Sequence, residues 1–477
     1  MTDTVMVRFE GDGSGVAELS WGQYEIWCVM RDKNDFLPIG GVRALPPGQT
    51  VSDVAAGLAF IMGRHQSLRT RLRWASQEQA PAGQASDGLP KQEVHACGEI
   101  ALEVVDAGDG DPAEAAAAVV TRYMTSNYDY ERDWPVRMAV ITQHGTATHV
   151  AEIYCHLAMD GFGLAALRAD LARHDRTGPA AAPVTALQPL EQVRWQRGPA
   201  GRRAHAASMR LFERLAASVP DRQFSEQADK QQPRFWQLTY ESPAGYVASR
   251  TLAARLGVTT SAVLLAAYAA ALSPLTGSPS VAVALVVNNR FRPGLADSVS
   301  TLAQSFPCLI EVGDARFEEV CVRTWRAALV AYKHAYYDLA GKDEVSKRIA
   351  AERGAEPALG VFFNDLRMRS RELADSGSGD AAAPGQPASL RAELSRSTLT
   401  WGERNDVPAD PMFLYINDTP GTLCYELWTD SHFVSPPDMA ALLRRIETVL
   451  VDTVLVDTGL DDTVAAATGV SAMDAVR

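Results

Sequence analysis

The first third of the chain alternates between two hydrophobic periods. Apolar positions that alternate with polar ones predict a strand over residues 5–9, and a second strand is predicted over residues 148–154. Apolar positions spaced three and four residues apart predict helices over residues 20–30 and 51–64, with Ser20 as the N-cap of the first helix. Strands and helices are therefore predicted to occur together from the start of the chain.

The rest of the chain continues this mixture in an irregular order. A β-branched run over residues 281–287 predicts a strand that is buried on both faces, and Thr259 is predicted to cap a long buried helix that reaches about residue 272. Because the order lacks the even strand–helix–strand rhythm of a doubly wound sheet, we predict an α+β fold with mixed sheets in two lobes. Further strands are predicted over residues 306–312, 358–364 and 412–428, and further helices over residues 202–217, 244–256, 317–334 and 436–451.

Three stretches interrupt the pattern. Residues 76–90 and 373–389 are rich in small and polar residues, cannot bury a useful core, and are predicted to be surface loops. Residues 177–184 are predicted to link two lobes. The sequence therefore predicts an N-terminal lobe over residues 1–180 and a C-terminal lobe over residues 181–477.

Charge and cysteine spacing exclude some classes of function. The net charge of -13 argues against a protein that follows a nucleic-acid backbone, which needs a basic face. None of the six cysteines forms a C-x-x-C pair, so zinc-ribbon and thioredoxin-type sites lack their spacing, and no metal site is predicted. No signal peptide is evident, and the longest apolar run is too short to span a bilayer, so a cytoplasmic protein is expected.

The segment Cys155-His156-Leu157-Ala158-Met159-Asp160-Gly161 is the candidate site. It follows the strand predicted over residues 148–154 and precedes a helix predicted over residues 163–174. Since strand side chains alternate between faces, Cys155 and His156 should point to opposite sides. A histidine can hold a proton near neutral pH, an aspartate can lock the loop by pairing with a cation, and a glycine permits close backbone approach. The motif alone leaves open that His156 is a buried histidine satisfied by a backbone group.

Further motifs give this segment a context. They are LSWGQYEIW at residues 19–27, RHQSLRT at 64–70, CHLAMDG at 155–161, the long predicted helix within 252–277, NRFRP at 289–293, TLAQSFPCLIEV at 301–312 and YKHAYYD at 332–338. In these motifs and in their order along nearly the whole chain, the sequence resembles the condensation domains of nonribosomal peptide synthetases.

This resemblance implies two chloramphenicol-acetyltransferase-like lobes in a V-shaped pseudo-dimer with an active-site tunnel between them. His156 would help an amine or alcohol to attack an acyl thioester. The backbone near Gly161 would help to hold the developing oxyanion, and Asp160 would be structural, with Arg290 as its partner. The resemblance implies no cofactor of the chain's own, because the acyl donor is attached as a thioester to the phosphopantetheine arm of a carrier protein.

The chain carries no motif of an adenylation domain or of a carrier domain. We therefore expect a free-standing and monomeric enzyme that meets a peptidyl or acyl carrier protein in trans and uses a small-molecule amine or alcohol acceptor. The product would be an amide or an ester in natural-product (antibiotic) biosynthesis. Two alternatives stay open: a catalytically silent module that recruits another enzyme to a carrier, and an O-acyltransferase that uses acyl-CoA or a polyketide carrier.

Cys155 is the main departure from the family pattern, which has a histidine at this position. A structural cysteine is expected, and the alternative is a nucleophilic thiol that forms an acyl-enzyme. Gln304-Ser305 replaces an Asn-Thr pair of the family, which makes Ser305 a candidate substrate-binding residue. Asn364 is a second candidate, although it could instead cap a strand end.

Three further residues come from the RHQSLRT motif. Arg64 and Arg69 are predicted to form structural salt bridges, with a role in substrate binding as the alternative. His65 is predicted to be a packed histidine rather than a second catalytic base.

Overall fold

The computed structural model describes residues 2–74, 89–174, 182–367, 387–407 and 409–457. The two predicted surface loops and the predicted linker therefore lie largely outside the described residues. Residues 387–389, which were predicted to be loop, instead begin a short helix.

The described chain folds as two compact units, and the first contains Met1–Ala206, Asn288–Gln304 and Tyr336–Leu339. Its elements are β1 (Thr2–Glu10), β2 (Gly15–Glu18), α1 (Trp21–Lys33), β3 (Ile39–Ala44), α2 (Val51–Arg64), a 3-10 turn (Gln66–Arg69), β4 (Thr70–Arg73), β5 (Lys91–Val94), β6 (Cys97–Asp106), α3 (Pro112–Met124), β7 (Val136–Gln143), β8 (Thr146–Tyr154), α4 (Gly161–Ala172), α5 (Pro189–Arg197) and the first part of α6 (Pro199–Ser218).

The five-stranded sheet of the first unit has the order β1-β6-β7-β8-β3, and β2-β5-β4 form a separate small sheet. Only β6 and β7 are parallel within the larger sheet as described; its other neighbours are antiparallel. One face packs against buried residues of α2 and α4, such as Leu58 and Leu167, and the other packs against residues of α1 and α3, such as Met30 and Val119. Full burial of each such side chain stabilises the fold by about 1.5–3 kcal/mol.

The second unit contains Ala207–Val287, Ser305–Ala335 and Ala340–Arg477. After α6 its elements are β9 (Phe235–Ser242), α7 (Pro243–Leu256), α8 (Thr260–Thr276), β10 (Ser280–Val287), β11 (Gln304–Glu311), α9 (Phe317–His334), α10 (Leu339–Arg353), β12 (Val361–Asp365), α11 (Pro387–Leu394), β13 (Thr398–Asn405), β14 (Met412–Thr419), β15 (Thr422–Asp430) and α12 (Pro436–Asp457).

A seven-stranded sheet of order β11-β10-β12-β14-β15-β9-β13 forms the second unit, with β10, β12 and β14 parallel. Helix α8 is buried and packs against α9 and α12. As predicted, Thr259 caps α8, since its hydroxyl accepts a hydrogen bond from the backbone N–H of Ala262. Within the described ranges no single helix is long and apolar enough to cross a membrane. Helices α7 and α8 together have sufficient length and apolar composition, but the chain bends by 112° between them.

The structure confirms the predicted mixture of helices and strands. The helices predicted over residues 51–64 and 317–334 have those bounds, and Ser20 caps α1 through a capping box with Gln23. The division into residues 1–180 and 181–477 stays a prediction. The compact units follow packing rather than chain order, because residues 288–304 pack with the first 206 residues.

Candidate active site

The candidate segment forms the connection between β8 and α4. Asp160 is the N-cap of α4, and its Oδ1 accepts a hydrogen bond of 2.7 Å from the backbone N–H of Gly163. A carboxylate suits this position because the first turn of a helix has unpaired N–H groups and a partial positive charge. The helix therefore begins at Gly161, two residues before its predicted start, and Gly161 is its first residue.

Cys155 continues the alternation of β8. Its side chain is 1% exposed and packs with Trp27, Met30 and Phe36 on the face of the sheet that α1 and α3 cover. Burial raises the pKa of the Cys155 thiol to about 12. The thiol lies 3.8 Å from the carbonyl oxygen of Phe36. This setting disfavours a thiolate nucleophile and favours a structural role for Cys155.

His156 is held through its main chain on both sides. Its N–H donates to the carbonyl oxygen of Phe36 at 3.2 Å, and its own carbonyl oxygen accepts a hydrogen bond from the hydroxyl of Thr301. The side chain is partly buried, and its Nδ1 is buried without a hydrogen-bond partner among the described residues.

Burial lowers the pKa of His156 below its usual value of 6.5. The carboxylate of Asp160 and the backbone of His156 and Met159 oppose this shift only in part. The imidazole is therefore neutral at pH 7, which is the state that can accept a proton from an attacking amine or alcohol.

Asp160 and Arg290 form a buried ion pair. Arg290 Nη1 lies 2.9 Å from Asp160 Oδ1 and 3.0 Å from Oδ2, so the structure brings together the two residues that were predicted to pair. Oδ2 also accepts hydrogen bonds from the backbone N–H groups of Leu302 at 2.9 Å and Ala303 at 3.1 Å. Burial alone would raise the pKa of Asp160, but Arg290 and the N–H groups of Leu302 and Gly163 hold it below its usual range.

The guanidinium of Arg290 also fixes the segment of residues 298–303. Its Nη2 donates to the carbonyl oxygens of Ser298 and Ser300, each at 3.0 Å. The amide of Gln192 adds hydrogen bonds of 2.9 Å to the hydroxyls of the same two serines. The buried ion pair is thus the centre of a network that joins this segment to the His156 connection.

Two glycines allow helices to approach the 298–303 segment closely. A Cβ atom on Gly163 would lie 3.0 Å from the carbonyl oxygen of Ser300, and one on Gly22 in α1 would collide with the carbonyl oxygen of Thr301. A side chain at either position would therefore displace the segment or the helix.

Asn364 and Ser305 lie in the second unit. Asn364 is near the end of β12 and Ser305 is within β11, and both are partly buried. Their assignment as substrate-binding residues stays a prediction, as does a contribution of the Gly161 backbone to oxyanion binding.

The charged side chains of the RHQSLRT motif contact other parts of the first unit. Arg64 Nε lies 2.5 Å and His65 Nε2 lies 3.0 Å from Asp170 Oδ2 in α4. Burial alone would raise the pKa of Asp170, but hydrogen bonds from His65 and Arg64 lower it to about 2. The prediction that Arg69 forms a salt bridge is wrong. Its guanidinium has no carboxylate partner among the described residues and instead donates to backbone carbonyl oxygens, including that of Gly13 at 2.6 Å.

The sequence did not single out Thr301 or Phe36, although both contact the main chain of His156. Thr301 lies at the start of the TLAQSFPCLIEV motif, which was the one available signal. Within the described part of the chain, no group of three or more histidine, cysteine or acidic side chains could hold a metal ion.

Comparison with known proteins places this geometry in context. The Condensation domain family model matches residues 47–364. An isonitrile lipopeptide synthase of Mycobacterium tuberculosis is 27% identical over an alignment of 299 residues that covers 59% of this chain and 11% of that protein. The nonribosomal peptide synthetase TES of Alternaria alternata is 27% identical over an alignment of 294 residues that covers 57% of this chain and 5% of that protein. The chain thus spans a small part of either relative.

Solved structures with a similar fold cover more of the chain. SgcC5 from Streptomyces globisporus has a TM-score of 0.63 and 18% identity over 92% of this chain and 98% of that one. A structure described for condensation domain-mediated chain release from the enacyloxin polyketide synthase has a TM-score of 0.63 and 19% identity, and the match covers 92% of this chain and 83% of that one. The X-domain complexed with OxyB from teicoplanin biosynthesis has a TM-score of 0.63 and 18% identity, and the match covers 93% of this chain and 94% of that one. These similarities confirm the predicted fold.

Proposed function

Because this chain belongs to the condensation-domain family, we propose that it transfers an acyl or aminoacyl group from a carrier-protein thioester to an amine or alcohol, with His156 as the proton acceptor. The nucleophile attacks the thioester carbonyl, a C–N or C–O bond forms and the C–S bond breaks. The proton of the nucleophile passes to the imidazole and then to the departing thiolate of the phosphopantetheine arm, so the enzyme is restored. The chain needs no cofactor of its own for this reaction.

The main support is the state and placement of His156. Its pKa is lowered, so the imidazole is neutral at pH 7 and can accept a proton. Its main chain is bonded to Phe36 and Thr301, which restricts where the ring can lie. A positioned proton acceptor of this kind accelerates a reaction by about 10²–10⁴-fold.

Family membership and relatives support the choice of donor. The curated relatives are a lipopeptide synthase and a nonribosomal peptide synthetase by name. A carrier-bound acyl or aminoacyl group is therefore the donor that we propose. That the carrier protein acts in trans, with a small-molecule acceptor in natural-product biosynthesis, belongs to the same proposal. Whether the chain acts alone as an enzyme is part of this proposal.

The test uses carrier proteins loaded with fatty acyl and aminoacyl groups, offered with free amines and alcohols. Intact-mass analysis of the carriers and of the product gives the transfer rate. His156→Asn removes the proton acceptor and should lower this rate at least about 100-fold. His144→Asn is the matched control, because His144 is an exposed histidine in the turn between β7 and β8. Wild-type rates in His156→Asn would contradict the proposal.

Two observations favour a second candidate, a catalytically silent module that recruits another enzyme to a carrier. Cys155 replaces the histidine that the family pattern has, and one structural neighbour is an X-domain in complex with OxyB. This candidate predicts that the chain binds a loaded carrier and a partner enzyme while the carrier keeps its acyl group. The same mass assay with a pull-down separates the two candidates.

The remaining alternative is an O-acyltransferase that takes its donor from acyl-CoA or a polyketide carrier, with an alcohol as acceptor. One structural neighbour is described for condensation domain-mediated chain release from the enacyloxin polyketide synthase. Competition between acyl-CoA and the acyl carrier for one acceptor distinguishes these donors: the proposal predicts that excess acyl-CoA leaves product formation from the carrier unchanged.

A further inference from the structure

We infer that Thr301 is a positioning residue for His156, whose hydroxyl fixes the main chain of the histidine and thereby the direction of its imidazole. This inference rests on the proposed function of His156 for its effect on rate. The contact itself is a property of the fold.

The hydroxyl of Thr301 donates to the carbonyl oxygen of His156, and Thr301 is 1% exposed. On the other side, the N–H of His156 donates to Phe36. The two bonds hold the two peptide groups that flank the Cα atom of His156. Since the side chain leaves from that Cα atom, fixing both peptide groups fixes the direction of the Cα–Cβ bond.

Thr301 can serve as a fixed point because its neighbours are bonded on both sides. Arg290 binds the carbonyl oxygen of Ser300, and Asp160 binds the N–H of Leu302. The side-chain amide of Asn289 donates to the carbonyl oxygen of Leu302 at 2.9 Å. The Asp160–Arg290 pair therefore acts on His156 through Thr301, in addition to capping the helix that follows.

If the Thr301 hydroxyl had only a structural role, its removal would still destabilise the fold. Such a hydroxyl would satisfy a buried carbonyl group and stabilise the fold, as many buried hydroxyls do. A positioning role predicts something more: its loss should lower kcat while KM changes little, because the displaced group is a proton acceptor rather than a binding contact.

The key variant is Thr301→Val, which replaces the hydroxyl by a methyl group of similar shape. We expect kcat of the carrier-to-acceptor transfer to fall about 10- to 100-fold, with KM within about two-fold. Thr301→Ser restores the hydroxyl and should return kcat to within about three-fold of wild type. Thr301→Ala also removes the hydroxyl and carries the same test if the valine variant does not fold.

Thr70→Val is the matched control. The Thr70 hydroxyl is also buried and donates to a main-chain carbonyl, that of Gln66, at 2.6 Å. Both valine variants should lower the melting temperature to a similar degree, because each removes one buried hydrogen bond. The control should keep the kcat of wild type, whereas Thr301→Val should not.

A second measurement does not depend on activity. The chain has nine histidines, and in ¹³C-labelled protein the imidazole signal of His156 is the one missing from His156→Asn. Thr301→Val should shift or broaden this signal, and Thr70→Val should leave it unchanged.

The outcomes separate the two ideas. If Thr301→Val keeps both kcat and the imidazole signal, the positioning role is refuted, while an inactive His156→Asn still supports the proposed function. If His156→Asn is as active as wild type, the proposed function fails. The imidazole signal then still decides whether Thr301 holds His156.

Discussion

The buried Asp160–Arg290 pair gives the sharpest prediction of stability. Asp160→Asn keeps the shape of the side chain but replaces one oxygen by an NH₂ group. Because the amide can turn, this group would face two donors at the position of Oδ1, the N–H of Gly163 at 2.7 Å and Arg290 Nη1 at 2.9 Å. At the position of Oδ2 it would face three donors, Arg290 Nη1 at 3.0 Å and the N–H groups of Leu302 and Ala303 at 2.9 and 3.1 Å. The guanidinium would also lose its compensating negative charge.

The expected cost follows from burial. The side chains of Arg290 and Asp160 are 5% and 4% exposed, so water cannot replace the lost partner. Removing one member of such a pair costs about 3–5 kcal/mol. We therefore expect Asp160→Asn to lower the free energy of unfolding by about 3–5 kcal/mol at pH 7.

Equilibrium urea unfolding of wild type and variant measures this loss. Glu99→Gln is the control, because Arg8 and Glu99 also form an ion pair, 2.7 Å apart, but their side chains are 87% and 47% exposed. A surface pair contributes at most about 1 kcal/mol. The pair replacement Asp160→Leu with Arg290→Met should cost less than Asp160→Asn, since it leaves no uncompensated charge.

The effect of pH has a fixed sign. The pKa of Asp160 in the folded chain lies below its usual value, so its contribution is complete above the unfolded pKa of about 3.9 and is lost as the pH falls through the folded value. A loss in Asp160→Asn no larger than in Glu99→Gln at pH 7 would refute this account of the network.

Three further predictions concern other sites. Since burial lowers the pKa of His156, the acid limb of kcat/KM should have its midpoint below pH 6.5, and a midpoint above that value in rate profiles would contradict this. His144 and Gly145 both have positive φ in the turn between β7 and β8, and the pair Asn-Gly suits such turns. His144→Asn should therefore raise the free energy of unfolding, measured in urea, by about 0.5 kcal/mol. A lower free energy of unfolding in this variant would contradict the prediction. Asp170→Asn should lower the free energy of unfolding by about 2 kcal/mol at pH 7, because Arg64 and His65 hold the pKa of Asp170 in the folded chain at about 2. This difference between wild type and variant should vanish as the pH falls through about 2. An equal difference at pH 7 and at pH 2 would show that the charge of Asp170 is not the cause.

The parts of the fold that could be predicted carry strong local signals. Helix α2 begins after the capping residue Thr50, and its apolar positions keep a helical spacing to Arg64, so its bounds followed from sequence. Helix α3 was missed because its buried face consists largely of alanine and valine, although Asp111 and Pro112 form a recognisable N-terminus. The small β2-β5-β4 sheet was missed because its strands have four residues each and pair across long separations.

The site was predictable only where its contacts use side chains. His156 and Asp160 lie in one motif, and Arg290, 130 residues away, lies in another that the family resemblance connected to it. Phe36 contributes its carbonyl oxygen to the His156 connection, and every residue type has that group. A contact of this kind leaves no mark on the sequence, so structure alone can reveal it.

The replacement at Cys155 affects packing rather than the position of His156. Burial raises the pKa of the Cys155 thiol to about 12, so the thiol is protonated near neutral pH and is a poor nucleophile. A histidine at this position would need polar partners in an apolar cluster, whereas a thiol needs none. The hydrogen bonds that hold His156 run from its own main chain to Phe36 and Thr301, and the Cys155 thiol contacts only the acceptor of the first bond, the Phe36 carbonyl oxygen, at 3.8 Å. The departure from the family pattern therefore leaves the proposed proton acceptor in place.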